Sequence, residues 1–279
     1  MKTMIDSLQK DMFYYLHIPK TAGTTINKLF SSQYPVDEVL THIESSDLIK
    51  DPDKITLIQK YTYVSGHYSY PAAKNNLSIS DRTTIATFRL PEEHVISHLC
   101  WVRLLGEPEH ANRLAQHDKN IQSIVEHLKT VDLSNAEKIP PLIEWLEDNK
   151  YFLFHNTQAR YLCGGAQSPA LTDNQVKIAL SNLDELDFVG TVDRLSDFIS
   201  MLISTFSFDT TSDNQQRENA NNHKFGMDHN NRPFMNALAP LIKYDQIIYG
   251  KAHQLFTDTF HDFHSNKQNS QQPISHSII

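Results

Sequence analysis

Hydrophobic and polar positions along this chain alternate between two rhythms. Phe13–Leu16 is a short aromatic and aliphatic run that stops abruptly at His17. Beyond a polar stretch, Ile26, Leu29 and Phe30 recur at helical spacing. The order is strand, tight turn, helix. Residues 61–65 form a second strand candidate, running into Gly66-His67-Tyr68. Thr83–Phe88 is a third, β-branched and apolar. It ends at Arg89-Leu90-Pro91, where the proline suits the first turn of a helix. Val95, Ile96, Leu99 and Val102 carry that helix to about Leu105. Strand–loop–helix thus occurs at least twice, which predicts an α/β fold with a parallel sheet wrapped by helices. Ligands of such sheets bind beyond the carboxyl ends of the strands.

The remaining pattern is mostly helical. Residues 37–60 are polar, with a turn at Asp51-Pro52-Asp53. Residues 107–150 read as charged helices. Ile121, Ile124, Val125 and Leu128 form one stripe, and Pro140-Pro141 breaks the chain before a helix containing Trp145. Further helices are expected over 156–162, ending at Gly164-Gly165, and over 174–182. Residues 188–190 read as a strand, 195–206 as a helix, 209–222 as a loop and 240–260 as a terminal helical region. Residues 265–279 are polar and poor in core formers, so a disordered tail is expected after a single domain over 1–264.

Composition narrows the function classes. The 279 residues suffice for one large α/β domain or two small ones. A formal net charge of −8 excludes a general nucleic-acid binder and weighs against a long polyanionic glycan as acceptor. Cys100 and Cys163 make no disulfide framework, and their apolar neighbours predict buried thiols. The opening MKTMIDSLQKDM is too polar and short for a signal peptide, and no run approaches the ~20 apolar residues of a membrane span.

The chemistry concentrates in His17-Ile18-Pro19-Lys20-Thr21-Ala22-Gly23-Thr24-Thr25. A helix that begins after a turn offers unpaired N–H groups and its positive dipole end to an anion. Lys20 adds a full charge, Gly23 permits close backbone approach, and Thr24 and Thr25 add hydroxyl donors. The nucleoside-triphosphate loop reads GxxxxGK[ST], with its lysine after the second glycine. Here the lysine precedes a single glycine. Of the fifteen histidines, His94 and His98 stand four apart, but HExxH is absent and no other ligand set stands at metal spacing. No metal is expected.

The nonamer 17–25 closely resembles the 5′-phosphosulfate loop of sulfotransferases, in particular the carbohydrate group related to heparan sulfate 2-O-sulfotransferase and its bacterial members. The resemblance extends over about residues 12–205. It implies a P-loop-like three-layer fold, with a central parallel β-sheet flanked by helices. It also implies 3′-phosphoadenosine-5′-phosphosulfate (PAPS) as co-substrate and a hydroxyl acceptor on a carbohydrate or small molecule. Lys20 would contact the bridging region of the donor and steady the leaving phosphate. Thr21, Ala22, Gly23, Thr24 and Thr25 would complete the cradle.

In Thr87-Phe88-Arg89-Leu90-Pro91-Glu92-Glu93-His94-Val95-Ile96-Ser97-His98, the resemblance assigns Arg89 and Ser97 to the 3′-phosphate. Leu90 and His94 stand where the family's RDP-x-x-R form has aspartate and the second arginine. Ser65-Gly66-His67-Tyr68 resembles the family's catalytic histidine motif. His67 is the candidate base, since imidazole titrates near pH 6.5. TQARYLCGG, 157–165, resembles an element bordering the active site, so Arg160 is a possible border residue, as is His17. Phe188-Val189-Gly190 with Asp193-Arg194 resembles a scaffold segment. The eukaryotic members are usually anchored in the Golgi. Without an anchor, this chain is expected to be a cytoplasmic, bacterial-type enzyme. Two other readings stay open: a nucleotide kinase-like phosphotransferase on the same architecture, and a catalytically degenerate PAPS-binding module.

Overall fold

A computed structural model describes residues 11–46, 55–165, 170–209 and 224–270. Five strands, β1 (Phe13–Leu16), β2 (Val39–Leu40), β3 (Tyr63–Gly66), β4 (Thr83–Phe88) and β5 (Phe188–Thr191), form one sheet in the order β2-β3-β1-β4-β5. Every pairing is parallel. The helices are α1 (Gly23–Ser31), α2 (Tyr70–Asn76), α3 (Pro91–Leu104), α4 (Lys119–Thr130) and α5 (Ile139–Asp148). They continue with α6 (Thr157–Cys163), α7 (Asp173–Glu185), α8 (Leu195–Phe206) and α9 (Arg232–Ser270).

The sheet is the middle of three layers, and alternation along β1 shows why. Phe13 and Tyr15 pack with Ile26, Leu29 and Phe30 of α1 and with Phe198 and Leu202 of α8. Tyr14 and Leu16 point the other way, into a core with α2, α6 and α7. Period-two side chains with both faces covered make every residue of β1, β3, β4 and β5 buried. Arg82, fully buried at the amino end of β4, donates to the carbonyls of Ile58 and Tyr61 and so ties down the chain entering β3. A separate apolar core joins α3, α4, α5 and the first part of α9.

Several expectations change. Val39–Leu40 is a strand inside the polar stretch; only two half-buried residues pair, too few to register as a pattern. Pro140 opens α5 instead of breaking the chain, because first-turn N–H groups have no helical partner anyway. The terminal helix is longer than expected: α9 accommodates Pro240 and runs to Ser270, so residues 265–270 are helical. The Asp51-Pro52-Asp53 turn, most of the 209–222 loop and residues 271–279 lie outside the described residues. Cys100 is buried, but Cys163 is only half-buried, and neither is in a disulfide. No helix among the described residues is long and apolar enough to cross a membrane.

The strand order fixes where a ligand belongs. After β1 the chain leaves for β2 and β3 on one side, and after β4 it leaves for β5 on the other. Adjacent strands whose connections diverge leave a crevice beyond their carboxyl ends. The loops after β1 and β4 border that crevice.

Candidate functional site

The loop after β1 is built as a nest of amides. Lys20 and Ala22 both adopt left-handed backbone, with φ of 66° and 68°. The first bonds donated from the start of α1 come from Thr25 and Ile26, both to the Ala22 carbonyl. Among the described residues no protein acceptor faces the N–H groups of residues 20–24. Such concavities of backbone N–H are suited to anions.

Neighbouring side chains fix the loop's shape. The Thr21 hydroxyl donates to the Ile18 carbonyl at 2.9 Å, so Thr21 can serve a ligand through its amide and not its hydroxyl. Thr87, at the end of β4, donates to the Thr21 carbonyl at 2.6 Å and accepts from Tyr15 at 2.5 Å. His94 Nε2 donates to the Pro19 carbonyl at 2.8 Å, binding the loop to α3. That contact gives His94 a structural role. Gly23 leaves room for His17: a Cβ there would lie 1.8 Å from His17 Nε2. Thr24 is exposed and Thr25 buried.

Positive charge gathers over the nest despite the acidic chain. Burial, then the charges of Arg89 and Arg113, lowers the Lys20 ammonium from its ordinary value. Arg89 pairs with Glu93 through Nε at 3.2 Å and Nη2 at 3.1 Å. This is the ion pair available to any arginine four residues before a glutamate, but here the guanidinium is nearly buried, with 11% exposure. The Arg89 backbone is clamped at both ends by Gln158, whose amide accepts from its N–H at 2.8 Å and donates to its carbonyl at 2.9 Å. Asp245 holds Gln158 in turn, accepting from the amides of Gln158 and Ala159. Burial lifts the Asp245 carboxyl to about 7, although both amides pull it down. Ser97 is buried on α3, two turns beyond Pro91.

His67 stands at the end of β3, across the strand pair in which Leu16 faces Gly66. Its Nδ1 donates to the His17 carbonyl at 2.7 Å, and its amide donates to Glu44 at 2.9 Å. Those bonds fix the ring and leave the Nε2 lone pair free. Burial lowers the imidazole's pKa, with Glu44 pulling the other way, so it is neutral at pH 7 and able to take a proton. His17 lies between this ring and the nest, 4.2 Å centroid to centroid from His67.

The fold therefore brings Lys20, Arg89, Ser97, His17 and His67 to one edge of the sheet. Arg160 stands apart in role: it is buried, donates to the His155 carbonyl and lies over the Phe152 ring at 5.5 Å. These contacts secure the turn entering α6. Sequence reading missed Arg113, which comes from a one-turn helix (Ala111–Leu114) and lies over Trp101. It also missed Gln158, the second residue of α6 within a segment already singled out, and the Glu44–His42 turn beside His67. A scan of protein-family models finds no match for this chain, and a search of curated proteins finds no relative.

Proposed function

We propose that this protein is a PAPS-dependent sulfotransferase that moves a sulfuryl group to an acceptor hydroxyl on a carbohydrate or small molecule. The observation that carries the reading is the loop at the switch point: amides 20–24 without a protein acceptor among the described residues, with Lys20 in the same loop and Arg89 at the end of the neighbouring strand.

In this reading the nest holds the donor's 5′-phosphosulfate. Arg89, through Nη1, which Glu93 does not engage, and the Ser97 hydroxyl hold the 3′-phosphate. The acceptor oxygen attacks sulfur in line with the bridging oxygen. Its proton passes to His67 Nε2, the S–O bond to the 5′-phosphate breaks, and the electron pair stays on 3′,5′-adenosine bisphosphate. Lys20 and the amides stabilise that growing negative charge. Charge stabilisation of this kind needs no metal when ammonium, guanidinium and amide donors supply it.

Labelled sulfate transfer tests the activity. Incubation with labelled PAPS and a panel of glycans, lipids and small alcohols should label at least one hydroxyl compound, and the Lys20→Ala variant should not. Tight donor binding with no transfer to any acceptor would leave only a PAPS-binding module. Phosphate transfer from ATP would replace the reading with a kinase.

A further inference from the structure

Three imidazoles meet beside the anion loop, although they are far apart in sequence. His17 follows β1, His42 follows β2 and His67 follows β3. One ligand atom from each lies within 4.8 Å of the others. Glu44 adjoins them: its Oε1 is 3.4 Å from His42 Nδ1 and 3.9 Å from His67 Nε2. We propose that His17, His42 and His67, with the carboxylate of Glu44, bind a divalent transition cation of the zinc class.

His67 and His17 are prepared for ligation. His67 donates Nδ1–H to a backbone carbonyl, the arrangement that fixes tautomer and orientation in metal-bound imidazoles and leaves Nε2 to ligate. His17 is 6% exposed and its Nδ1 is buried without a hydrogen-bond partner. Orphaned buried nitrogens are rare and point to a missing partner. Burial raises Glu44, but bonds from His42 and the His67 amide overcome it and hold the carboxyl at about 2, so one negative charge stands beside the lone pairs. Imidazoles with one carboxylate suit zinc and its neighbours, whereas magnesium and calcium prefer all-oxygen shells.

The site is also given space. A Cβ on Gly66 would meet Ile43 Cγ2 at 2.3 Å and Glu44 Oε2 at 2.6 Å, so only glycine lets the His42–Glu44 turn close on β3. Zinc–nitrogen bonds of ~2.0–2.1 Å require ligand atoms roughly 3.3 Å apart. The rings must therefore close slightly, and His42, exposed on its loop, can supply the movement. If His67 is the base, as the sulfotransferase reading requires, the bound cation takes the lone pair that would accept the proton and lowers turnover.

Chelator-stripped protein titrated with Zn²⁺ against a chromophoric chelator tests the site, with Co²⁺ as the spectroscopic probe. One tight equivalent per chain is expected, and Co²⁺ should show visible absorption of a nitrogen-rich, low-coordinate site. His42→Asn keeps a residue that tolerates the φ of 53° at that position. It should weaken Zn²⁺ binding at least ~10–100-fold. Glu44→Gln keeps an acceptor for the His67 amide, removes the charge and should weaken binding in the same direction. Melting curves without metal establish that both variants fold. No tight equivalent, or unchanged affinity in both variants, would overturn the proposal and place any bound cation on other histidines. Because the readout is binding, that failure leaves the sulfotransferase reading standing, and absence of transfer leaves this site standing.

Discussion

The nest after β1 and the histidine cluster after β3 are neighbours with opposite electrostatics. The nest sets amides without a protein acceptor among the described residues beside the Lys20 ammonium, and bonds from Thr87 and His94 hold the loop in place. The cluster keeps His17 and His67 neutral by burial and sets one carboxylate against them. His17 belongs to both, touching Gly23 on one side and His67 on the other. The first region can bind an anion but cannot take a proton, and the second can take a proton but has no charge to hold an anion. Transfer of a charged group to a hydroxyl needs both, side by side.

Substitutions should separate the two regions. His67→Ala should lower turnover by roughly 10²–10⁴-fold while leaving the affinity for 3′,5′-adenosine bisphosphate unchanged, since the base acts on the acceptor. Steady-state rates beside calorimetry check it; surviving activity would move the proton to His17 or elsewhere. Lys20→Ala should lower turnover by about 10²–10³-fold with an unaltered melting temperature, because it removes a charge aimed at the leaving oxygen. Normal rates would take Lys20 out of the chemistry. Arg89→Ala should weaken the bisphosphate about 10–100-fold and ADP far less, as loss of a charge-assisted grip on one phosphate predicts. Equal losses for both ligands would contradict the assignment.

The smallest effect concerns the frame beneath Arg89. The Asp245 carboxyl is raised to about 7 in the fold against about 3.9 unfolded. The folded state therefore binds the proton more tightly, and its contribution is complete below pH ~4 and lost as pH rises through 7. Denaturant melts from pH 4 to 8 should show stability falling over that window, with the slope reduced in Asp245→Asn.

The sequence was informative where chemistry is local. The loop 17–25, β4 and α3 each declare themselves within a dozen residues, because apolar runs, a proline at a first turn and one lysine before a glycine are short-range signals. The partners of those residues are not local. Arg113 comes from a charged helical stretch without pattern, and Gln158 meets Arg89 across 69 positions. His42 and Glu44 lie in a polar segment whose only strand is two residues long. Their meeting with His67 depends on β2 pairing with β3, a parallel register that no periodicity announces. The same limit explains the terminal helix, where polar residues 265–270 continue a helix whose stability is set further back, at Phe256 and Ile248.

The proposed function requires the switch point to grip a nucleotide by both phosphate ends, the 5′ end in the loop after β1 and the 3′ end at Arg89 and Ser97. Calorimetric titration of the intact chain with 3′,5′-adenosine bisphosphate, ADP and ATP measures it directly. Tight binding of the bisphosphate alone is the predicted result; equal or stronger binding of ATP, or no binding of any of the three, would contradict it.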